Sequence, residues 1–354
     1  MKNKADKHKS VKAKEETTER SFTKILKKLF PWKGDKVSEC IRKIIFLVSV
    51  IASVICLLYI YDYFYVNRRN QSRYEEVRKN QSSYAEVSVT TTQSLQSETD
   101  SENDDESSDE KHEFSVLPSQ TAWIEINPDT VGYIYIKDSM ISYPIVQKKT
   151  SEQKDYYLEH SFWNEEAKPG AIYLDWRNDL EAEKQSDNLV IYGHNMNDGT
   201  MFGQLKKYKD NHFFYGESPL ITLSSNYSTA DYKIFGFFLA NADAKQGEVF
   251  EYYNYTNFNT EEEFYEYVNG VKIRSLVLND VDVKYGDKLV TLSTCSGAFD
   301  EARFVVVGRK LRGGEEPLSG TENNSRNPNP LYPDPWYKIK GTRFDSSAEF
   351  IPYG

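Results

Sequence analysis

Residues 288–307 read KLVTLSTCSGAFDEARFVVV. Two apolar, β-branched runs, Lys288–Thr294 and Arg303–Val307, flank a short polar loop, and this pattern predicts two adjacent strands of a sheet. Cys295 stands where the first strand ends, so a rigid strand would hold its thiol at a point open to solvent. A buried structural cysteine is the commoner alternative. It is weakened here because the flanking residues are Thr, Ser and Gly rather than bulky apolar side chains.

A third strand signal, Asn188–Tyr192, leads into His194 and a polar loop. If the ends of these strands meet, an imidazole and a thiol come together. An imidazolium there stabilises the thiolate and supplies a proton to a leaving amine. The alternative is a loop histidine without a role. One cysteine and one histidine are too few ligands for a structural zinc site, so we expect no metal and no cofactor.

Arg303 opens the strand that follows the cysteine loop. A surface arginine is the default interpretation of any single arginine. In the functional interpretation, the neighbouring strand aims a permanent cation at the oxyanion that develops during acyl transfer. Arg303 and the backbone N–H groups that follow Cys295 would together complete an acyl-transfer site with His194.

The rest of this region contains further short, alternating runs separated by turn residues. Eight short strands with few helices predict a mainly β fold, a closed or nearly closed β-barrel. Two segments are predicted to be helical, Thr200–Tyr208 and Thr260–Ser275, the second capped by Asn259 or Thr260 with glutamates in its first turn. Besides the three strands already named, the predicted strands are Val131–Ile136, Ile141–Val146, Ala171–Leu174, Leu220–Leu223 and Tyr232–Leu239.

Ile44–Tyr61 is an 18-residue run without a charge, near the lower limit for a helix that spans ~30 Å of hydrocarbon. Basic residues precede it, which predicts a cytoplasmic N-terminus and an extracellular catalytic domain. A cleavable signal peptide is the alternative, but the basic segment before the run is long and no small-residue cleavage site follows. Upstream, Phe22, Ile25, Leu26, Leu29 and Phe30 recur with helical spacing among lysines, which predicts an amphipathic turn on the inner membrane surface.

Charge and cysteine content fit a chain that crosses a membrane. The formal charge is −10, yet residues 1–43 carry +8, which leaves −18 for the remainder. This acidic remainder argues against nucleic acid as a partner. Cys40 and Cys56 fall before and inside the apolar run and are interpreted as small apolar residues. Only Cys295 lies in the exported part, so no disulfide is expected there.

These features divide the chain into five parts. Residues 62–117 are expected to be a disordered acidic stalk. The argument for disorder rests on Ser88–Glu113, which is rich in Ser, Thr, Asp and Glu and buries too little apolar surface to order the chain. The parts are a cytoplasmic basic segment (1–43), a transmembrane anchor (44–61), the stalk (62–117), a catalytic domain (118–313) and a Pro/Asn/Gly-rich tail (314–354).

Several ordered motifs resemble the class B sortases, cysteine transpeptidases of Gram-positive cell surfaces. The cysteine strand and the arginine strand are similar to those of sortases in general, and the histidine segment and the long helix before the cysteine strand are similar to those of class B in particular. The resemblance covers about residues 119–313. The segments that carry it are Ile126–Ile134, Ile141–Gln147, Tyr157–Phe162, Gly170–Asp175, Asn188–Gly203, Thr291–Cys295 and Arg303–Val307.

The resemblance implies an eight-stranded sortase barrel and a catalytic triad of His194, Cys295 and Arg303. It implies cleavage of surface proteins after the Thr of a C-terminal sorting signal, a thioacyl-enzyme, and transfer to an amine of peptidoglycan precursor or of a pilin. By the same matching, Tyr192 and Ser293 would line the substrate groove and the Ser296 N–H would join the oxyanion hole. No metal is implied. A cysteine protease that uses water, and a non-enzymatic membrane-tethered binding protein, remain open alternatives.

The tail contains Asp334-Pro335-Trp336, which resembles the lid triplet of pilin-polymerising class C sortases, where the triplet precedes the barrel. If the tail folds back, Asp334 would pair with Arg303 or His194 and Trp336 would fill the substrate groove. The alternative is a Pro-rich tail whose aromatic side chains pack on the barrel wall or stay mobile.

Overall fold

The computed structural model describes residues 27–95 and 114–354. The chain divides into two compact units, Met1–Arg69 and Asn70–Gly354. In the first unit, helix α1 (Val37–Leu95) begins. Its segment Val37–Lys79 contains an 18-residue window with a mean hydropathy of 2.7, so it is long and apolar enough to cross a membrane.

The predicted anchor, 44–61, lies within α1. The predicted amphipathic turn is covered only in part. Phe22, Ile25 and Leu26 lie outside the described residues, whereas Leu29 and Phe30 are described and are exposed.

Helix α1 also covers residues 62–95, which belong to the predicted stalk. The side chain of Tyr74 is 1% exposed and packs edge-on against Tyr143, with ring centroids 5.2 Å apart. The ring of Trp163 also packs against Tyr74, with ring centroids 4.7 Å apart. Aromatic side chains of the second unit thus bury the Tyr74 ring, and composition alone does not show such contacts. Residues 96–113 of the predicted stalk lie outside the described residues.

The second unit contains a closed eight-stranded barrel. Around the barrel its strands follow one another in the order β1 (Thr130–Tyr135), β2 (Ser142–Val146), β3 (Ile172–Leu174), β4 (Asn188–Tyr192), β8 (Leu289–Cys295), β9 (Ala302–Lys310), β6 (Thr229–Asn241) and β5 (Leu220–Ser225). Each of the eight predicted runs overlaps one of these strands, so the predicted mainly β barrel is confirmed. Strands β2/β3 and β4/β8 pair in parallel, and the other neighbours pair antiparallel. Strands β7 (Val277–Leu278) and β10 (Ser325–Arg326) form a separate small sheet.

Besides the second part of α1, six α-helices lie in the second unit within the residues that the structure describes. They are α2 (Pro118–Ile126), α3 (Tyr156–Glu159), α4 (Lys206–Asp210), α5 (His212–Glu217), α6 (Glu261–Arg274) and α7 (Asp334–Lys340).

The predicted helix Thr200–Tyr208 begins later than expected. Met201 has a φ of 53° and bridges to Asn195, so the backbone there is not helical. A 3₁₀ turn, Gly203–Leu205, precedes α4.

Helix α6 supports the strand that carries the cysteine. The Thr260 side chain caps it by accepting a hydrogen bond from the Glu263 N–H, as predicted. Its buried face has helical spacing, and the Tyr267 hydroxyl on that face forms a hydrogen bond of 2.6 Å with the Thr291 hydroxyl on β8. The buried residues of this face are Phe264, Tyr267, Val268 and Val271.

The start of the tail is fixed to the barrel by a buried ionic cluster. Lys233 on β6 and Arg309 on β9 are both 0% exposed. The Glu315 carboxylate accepts hydrogen bonds from both, at 2.7 Å from Lys233 Nζ and 2.6 Å from Arg309 Nη2. The Arg309 guanidinium holds the pKa of Glu315 well below its usual range, against the opposing effect of burial, and Lys233 lowers that pKa further. Lys233 also donates to the Ser319 carbonyl and hydroxyl.

Glu315→Gln is expected to lower the free energy of unfolding by about 3 kcal/mol, because it leaves two buried cations without their shared anion. Urea unfolding of the full-length protein in detergent measures this. Glu316→Gln is the matched control, since Glu316 is exposed and should change stability by less than about 0.5 kcal/mol. Because the folded-state pKa of Glu315 is lowered, its contribution is present at neutral pH and is lost as the pH falls through the acid range. Equal effects of the two substitutions at pH 7 would contradict this role.

Candidate active site

Three neighbouring strands bring the predicted triad residues to one end of the barrel. In the parallel pair β4/β8, Tyr192 lies beside Ser293, so the chains that continue from them carry His194 and Cys295 side by side. The Gly193 N–H donates to the Ser293 carbonyl at 3.2 Å, which extends the ladder past the strand end. In the antiparallel pair β8/β9, Cys295 lies opposite Arg303. The structure therefore assembles all three residues that the sequence analysis singled out.

The thiol of Cys295 is accessible, because the residue is exposed while the six residues before it on β8 are buried. The Thr294 hydroxyl donates to the Gly193 carbonyl at 2.7 Å and ties β8 to the segment that leads to His194. A rigid strand with an exposed terminal thiol is the arrangement that the sequence predicts.

His194 is oriented by a backbone carbonyl. Its Nε2 lies 2.8 Å from the Leu158 oxygen, so this nitrogen carries the proton in that bond. The other ring nitrogen, Nδ1, is then available to exchange a proton with the thiol or the substrate. Within the described residues no hydrogen bond joins the ring to the Cys295 sulfur, and such bonds in ligand-free enzymes often form only when substrate binds.

Arg303 has an acidic neighbour that the sequence analysis did not anticipate. Its Nη2 lies 3.0 Å from the Glu301 carboxylate, and its Nη1 donates to the Ala302 carbonyl at 3.2 Å. Glu301 has a φ of 54°, a conformation uncommon for a residue other than glycine. The pair holds the guanidinium in place, although Glu301 is exposed and the pair is open to solvent.

An open cleft of about 680 Å³, here called the donor cleft, contains all three residues. Tyr192 and Ser293 are also on its wall, and the hydroxyl of each is already engaged. The Tyr192 hydroxyl donates to Asp175 at 3.0 Å, and that of Ser293 bonds Tyr252 at 2.7 Å. Burial raises the pKa of Tyr192, with the Asp175 charge adding to it, and burial raises the pKa of Tyr252 to about 12. Both phenols therefore stay protonated at neutral pH.

The N–H of Ser296, expected in the oxyanion hole, is occupied in this structure. It donates to the Ala302 carbonyl at 2.9 Å, as part of the β8/β9 hairpin. An oxyanion role for this group requires that the loop give up this hydrogen bond. Arg303 lines the same cleft and is the other residue that the sequence analysis expected to stabilise the oxyanion.

The tail does not form the predicted lid. Trp336 stacks on Tyr332 with ring centroids 3.6 Å apart, and the Asp334 carboxylate packs against Gly247 rather than pairing with Arg303 or His194. This part of the tail borders a different pocket, of about 280 Å³, beside the end of β6. The lid hypothesis is wrong because the tail's aromatic residues pack together and against the barrel wall, away from the donor cleft.

Other groups at the cleft were not found from the sequence. The Leu158 carbonyl could not be identified from the sequence, because every residue has a backbone carbonyl. Asp175 and its partner Arg177, 2.8 Å apart, also line the cleft, and only the pairing of β3 with β4 shows that they meet Tyr192. In the described ranges no group of three or more His, Cys, Asp or Glu residues is arranged to hold a metal ion.

Comparison with known proteins identifies sortases as relatives of this chain. A family model of the sortase domain matches residues 134–311. A curated sortase B from Listeria monocytogenes is 36% identical over 187 residues, which are 52% of this chain and 71% of the relative. A sortase B from Staphylococcus aureus is 29% identical over 204 residues, 57% of this chain and 78% of the relative.

Solved structures of the same kind are also similar. The crystal structure of sortase B from B. anthracis in complex with AAEK1 has 31% identity and a TM-score of 0.48, and the match covers 56% of this chain and 86% of that chain. The S. aureus sortase B–substrate complex has 29% identity and a TM-score of 0.48 over 58% of this chain and 89% of that one.

Proposed function

The chain belongs to the sortase family of cysteine transpeptidases, and we propose that it anchors surface proteins from the outer face of the membrane. In this proposal it cleaves a C-terminal sorting signal after Thr and transfers the protein to an amine of peptidoglycan precursor or of a pilin. The observation that carries the proposal is that His194, Cys295 and Arg303 lie at the ends of three adjacent strands, on the wall of one open cleft.

In the first half of the proposed reaction, the Cys295 thiolate attacks the Thr carbonyl carbon. The carbonyl oxygen becomes an oxyanion, which Arg303 stabilises as a fixed cation. When the tetrahedral intermediate collapses, the C–N bond breaks and the leaving amine takes a proton from the His194 imidazolium. The products are a thioester on Cys295, a neutral imidazole and the released C-terminal peptide.

In the second half, an acceptor amine attacks the thioester carbon. A C–N bond forms, the C–S bond breaks with its electron pair on the Cys295 sulfur, and the amine gives a proton to His194. The thiolate and the imidazolium are thereby restored, so no outside reductant, oxidant or metal enters the balance. Both halves use the same oxyanion donor, because both pass through a tetrahedral intermediate at the same carbon.

The membrane anchor gives this chemistry its location. The apolar segment of α1 would place the basic residues before it in the cytoplasm and the barrel outside, in a single-pass arrangement. Surface proteins that carry a sorting signal would then meet the donor cleft as they leave the membrane.

The experiment that tests the proposal is a cleavage and ligation assay. Full-length protein in detergent is incubated with quenched peptides of the Leu-Pro-x-Thr-Gly and Asn-Pro-x-Thr-x types, with and without triglycine or meso-diaminopimelate. We expect cleavage after Thr, a thioacyl adduct on Cys295 detectable by mass spectrometry, and a ligated product when the amine is present. Cleavage with hydrolysed product alone, at every amine concentration, would indicate a protease instead. Absence of any adduct on Cys295 across the whole peptide set would overturn the proposal.

A further inference from the structure

Cys295 lies on the wall of a second cleft, distinct from the donor cleft. This acceptor cleft has a volume of about 240 Å³ and shares only Thr294 and Cys295 with the donor cleft. Its lining also includes Asn195, Lys206, Lys209, Gly297 and Phe304.

The two clefts lie on opposite faces of the strand ends. Successive side chains of a strand point to opposite faces of a sheet. On β9, Arg303 faces the donor cleft and Phe304 faces the acceptor cleft. Beyond β4 the same change of side occurs between His194 and Asn195. The thiol at the end of β8 is therefore reachable from both faces.

The acceptor cleft differs from the donor cleft in charge. Lys206 and Lys209, both on α4, line it, and no acidic side chain does. The donor cleft instead mixes three basic side chains with Asp155 and Asp175. This cationic lining stands in a chain whose residues 44–354 carry a formal charge of −18.

The two lysines are available to a ligand. Lys206 is exposed, and within the described residues no ion pair or hydrogen bond engages its ammonium. Lys209 is half-buried and has one ionic neighbour, the exposed Asp210, at 3.6 Å. A contact of that length on the surface is weak. An incoming anion can therefore compete for Lys209 and has no competitor at Lys206.

We propose that the acceptor cleft binds an amine that carries a carboxylate, which Lys206 and Lys209 hold while the nitrogen attacks the thioester on Cys295. The inference rests on the proposed function, because it assigns the second substrate of that reaction. An amine that enters from this face meets the thioester carbon while the released peptide leaves through the donor cleft. Gly297 has no atoms within 4 Å of where a side chain would begin, so the mouth of the cleft beside the thiol is open.

The test compares two acceptors that share one carbon chain. meso-Diaminopimelate and 1,5-diaminopentane differ by two carboxylates, and each is offered to full-length protein with an acyl-donor peptide. The measured quantity is the rate of ligated product per thioacyl-enzyme formed, in wild type and in Lys206→Gln/Lys209→Gln. Transfer to diaminopimelate is expected to fall about tenfold in the double variant, since two charge-assisted contacts are lost. Transfer to diaminopentane should change by less than about twofold.

Lys207→Gln is the matched control on the same helix. Its ammonium bonds the Asp138 carbonyl at 3.1 Å and lies 5.0 Å from the Phe214 ring centroid, outside the acceptor cleft. It should keep the wild-type preference between the two amines. An equal loss for both amines in the double variant, no loss for either, or a thioacyl-enzyme that accepts neither amine would each overturn the inference.

A second measurement needs no acyl donor and separates this inference from the proposed function. Saturating diaminopimelate should slow alkylation of Cys295 by iodoacetamide several-fold, diaminopentane should not, and Lys206→Gln/Lys209→Gln should remove the protection. Absence of protection in wild type would count against the acceptor cleft even if ligation is observed. If no thioacyl-enzyme forms with any donor peptide, the proposed function fails, while protection would still show a bound carboxylate at the thiol.

Discussion

Cys295→Ala is expected to abolish both peptide cleavage and amine transfer, with residual rates on the order of 10⁴-fold or more below wild type. Without the sulfur no thioester forms, and neither the His194 ring nor the Arg303 cation supplies another nucleophile. The side chain is exposed at the end of β8, so its removal leaves no cavity and should not unfold the barrel. Quenched-peptide cleavage and product mass spectrometry measure the two activities.

The other two cysteines supply the controls for this variant. Cys40 and Cys56 lie on α1, where the sequence predicts apolar roles before and within the membrane span. Cys40→Ala and Cys56→Ala should retain both activities. If either lost activity while still folded and inserted, the assignment of Cys295 as the sole nucleophile would be wrong.

The barrel was predictable because its strands carry their own signal. Runs such as Asn188–Tyr192 and Lys288–Thr294 are bounded by turn residues and are rich in β-branched side chains, and these properties depend on neighbours in the sequence. The order of strands around the barrel was not predictable. It depends on pairings such as β4 with β8, which are about 100 residues apart.

The helical part of the predicted stalk was not predictable for the same reason, because its contacts are also made between residues far apart in the sequence. Arg73 and Tyr74 of this part contact residues that lie far away in the sequence, and local composition does not specify those contacts. Tyr74 is buried by Tyr143, which is 69 positions away, and Arg73 pairs with Glu165 at 3.0 Å. Tertiary contacts of this kind override local composition.

At the candidate site, side-chain chemistry was easier to predict than local geometry. His194, Cys295 and Arg303 were singled out because few other residue types perform acyl transfer. The Leu158 carbonyl on His194 and the hydrogen bond that occupies the Ser296 N–H are backbone contacts, which residue identities do not specify. Glu301 was missed for a different reason, since an acidic residue in a polar loop is ordinary until its distance to Arg303 is known.

Arg303→Lys is expected to lower kcat/KM by about 10²–10³-fold even though the charge is kept. The guanidinium already donates to the Glu301 carboxylate and the Ala302 carbonyl, and its planar fork still presents further N–H groups toward the donor cleft.

A lysine at this position has a single ammonium group, which offers fewer N–H donors than the guanidinium. Glu301, 3.0 Å from the native guanidinium, would attract that single charge away from the oxyanion. The loss should therefore appear in kcat as well as in kcat/KM, because the oxyanion exists only in the transition state and the intermediate. Arg326→Lys, on the remote strand β10, is the control and should be silent. If Arg303→Lys stays within a few-fold of wild type, Arg303 does not stabilise the oxyanion; if Glu301→Gln restores part of the lost rate in the Arg303→Lys background, the competition between carboxylate and oxyanion is its cause.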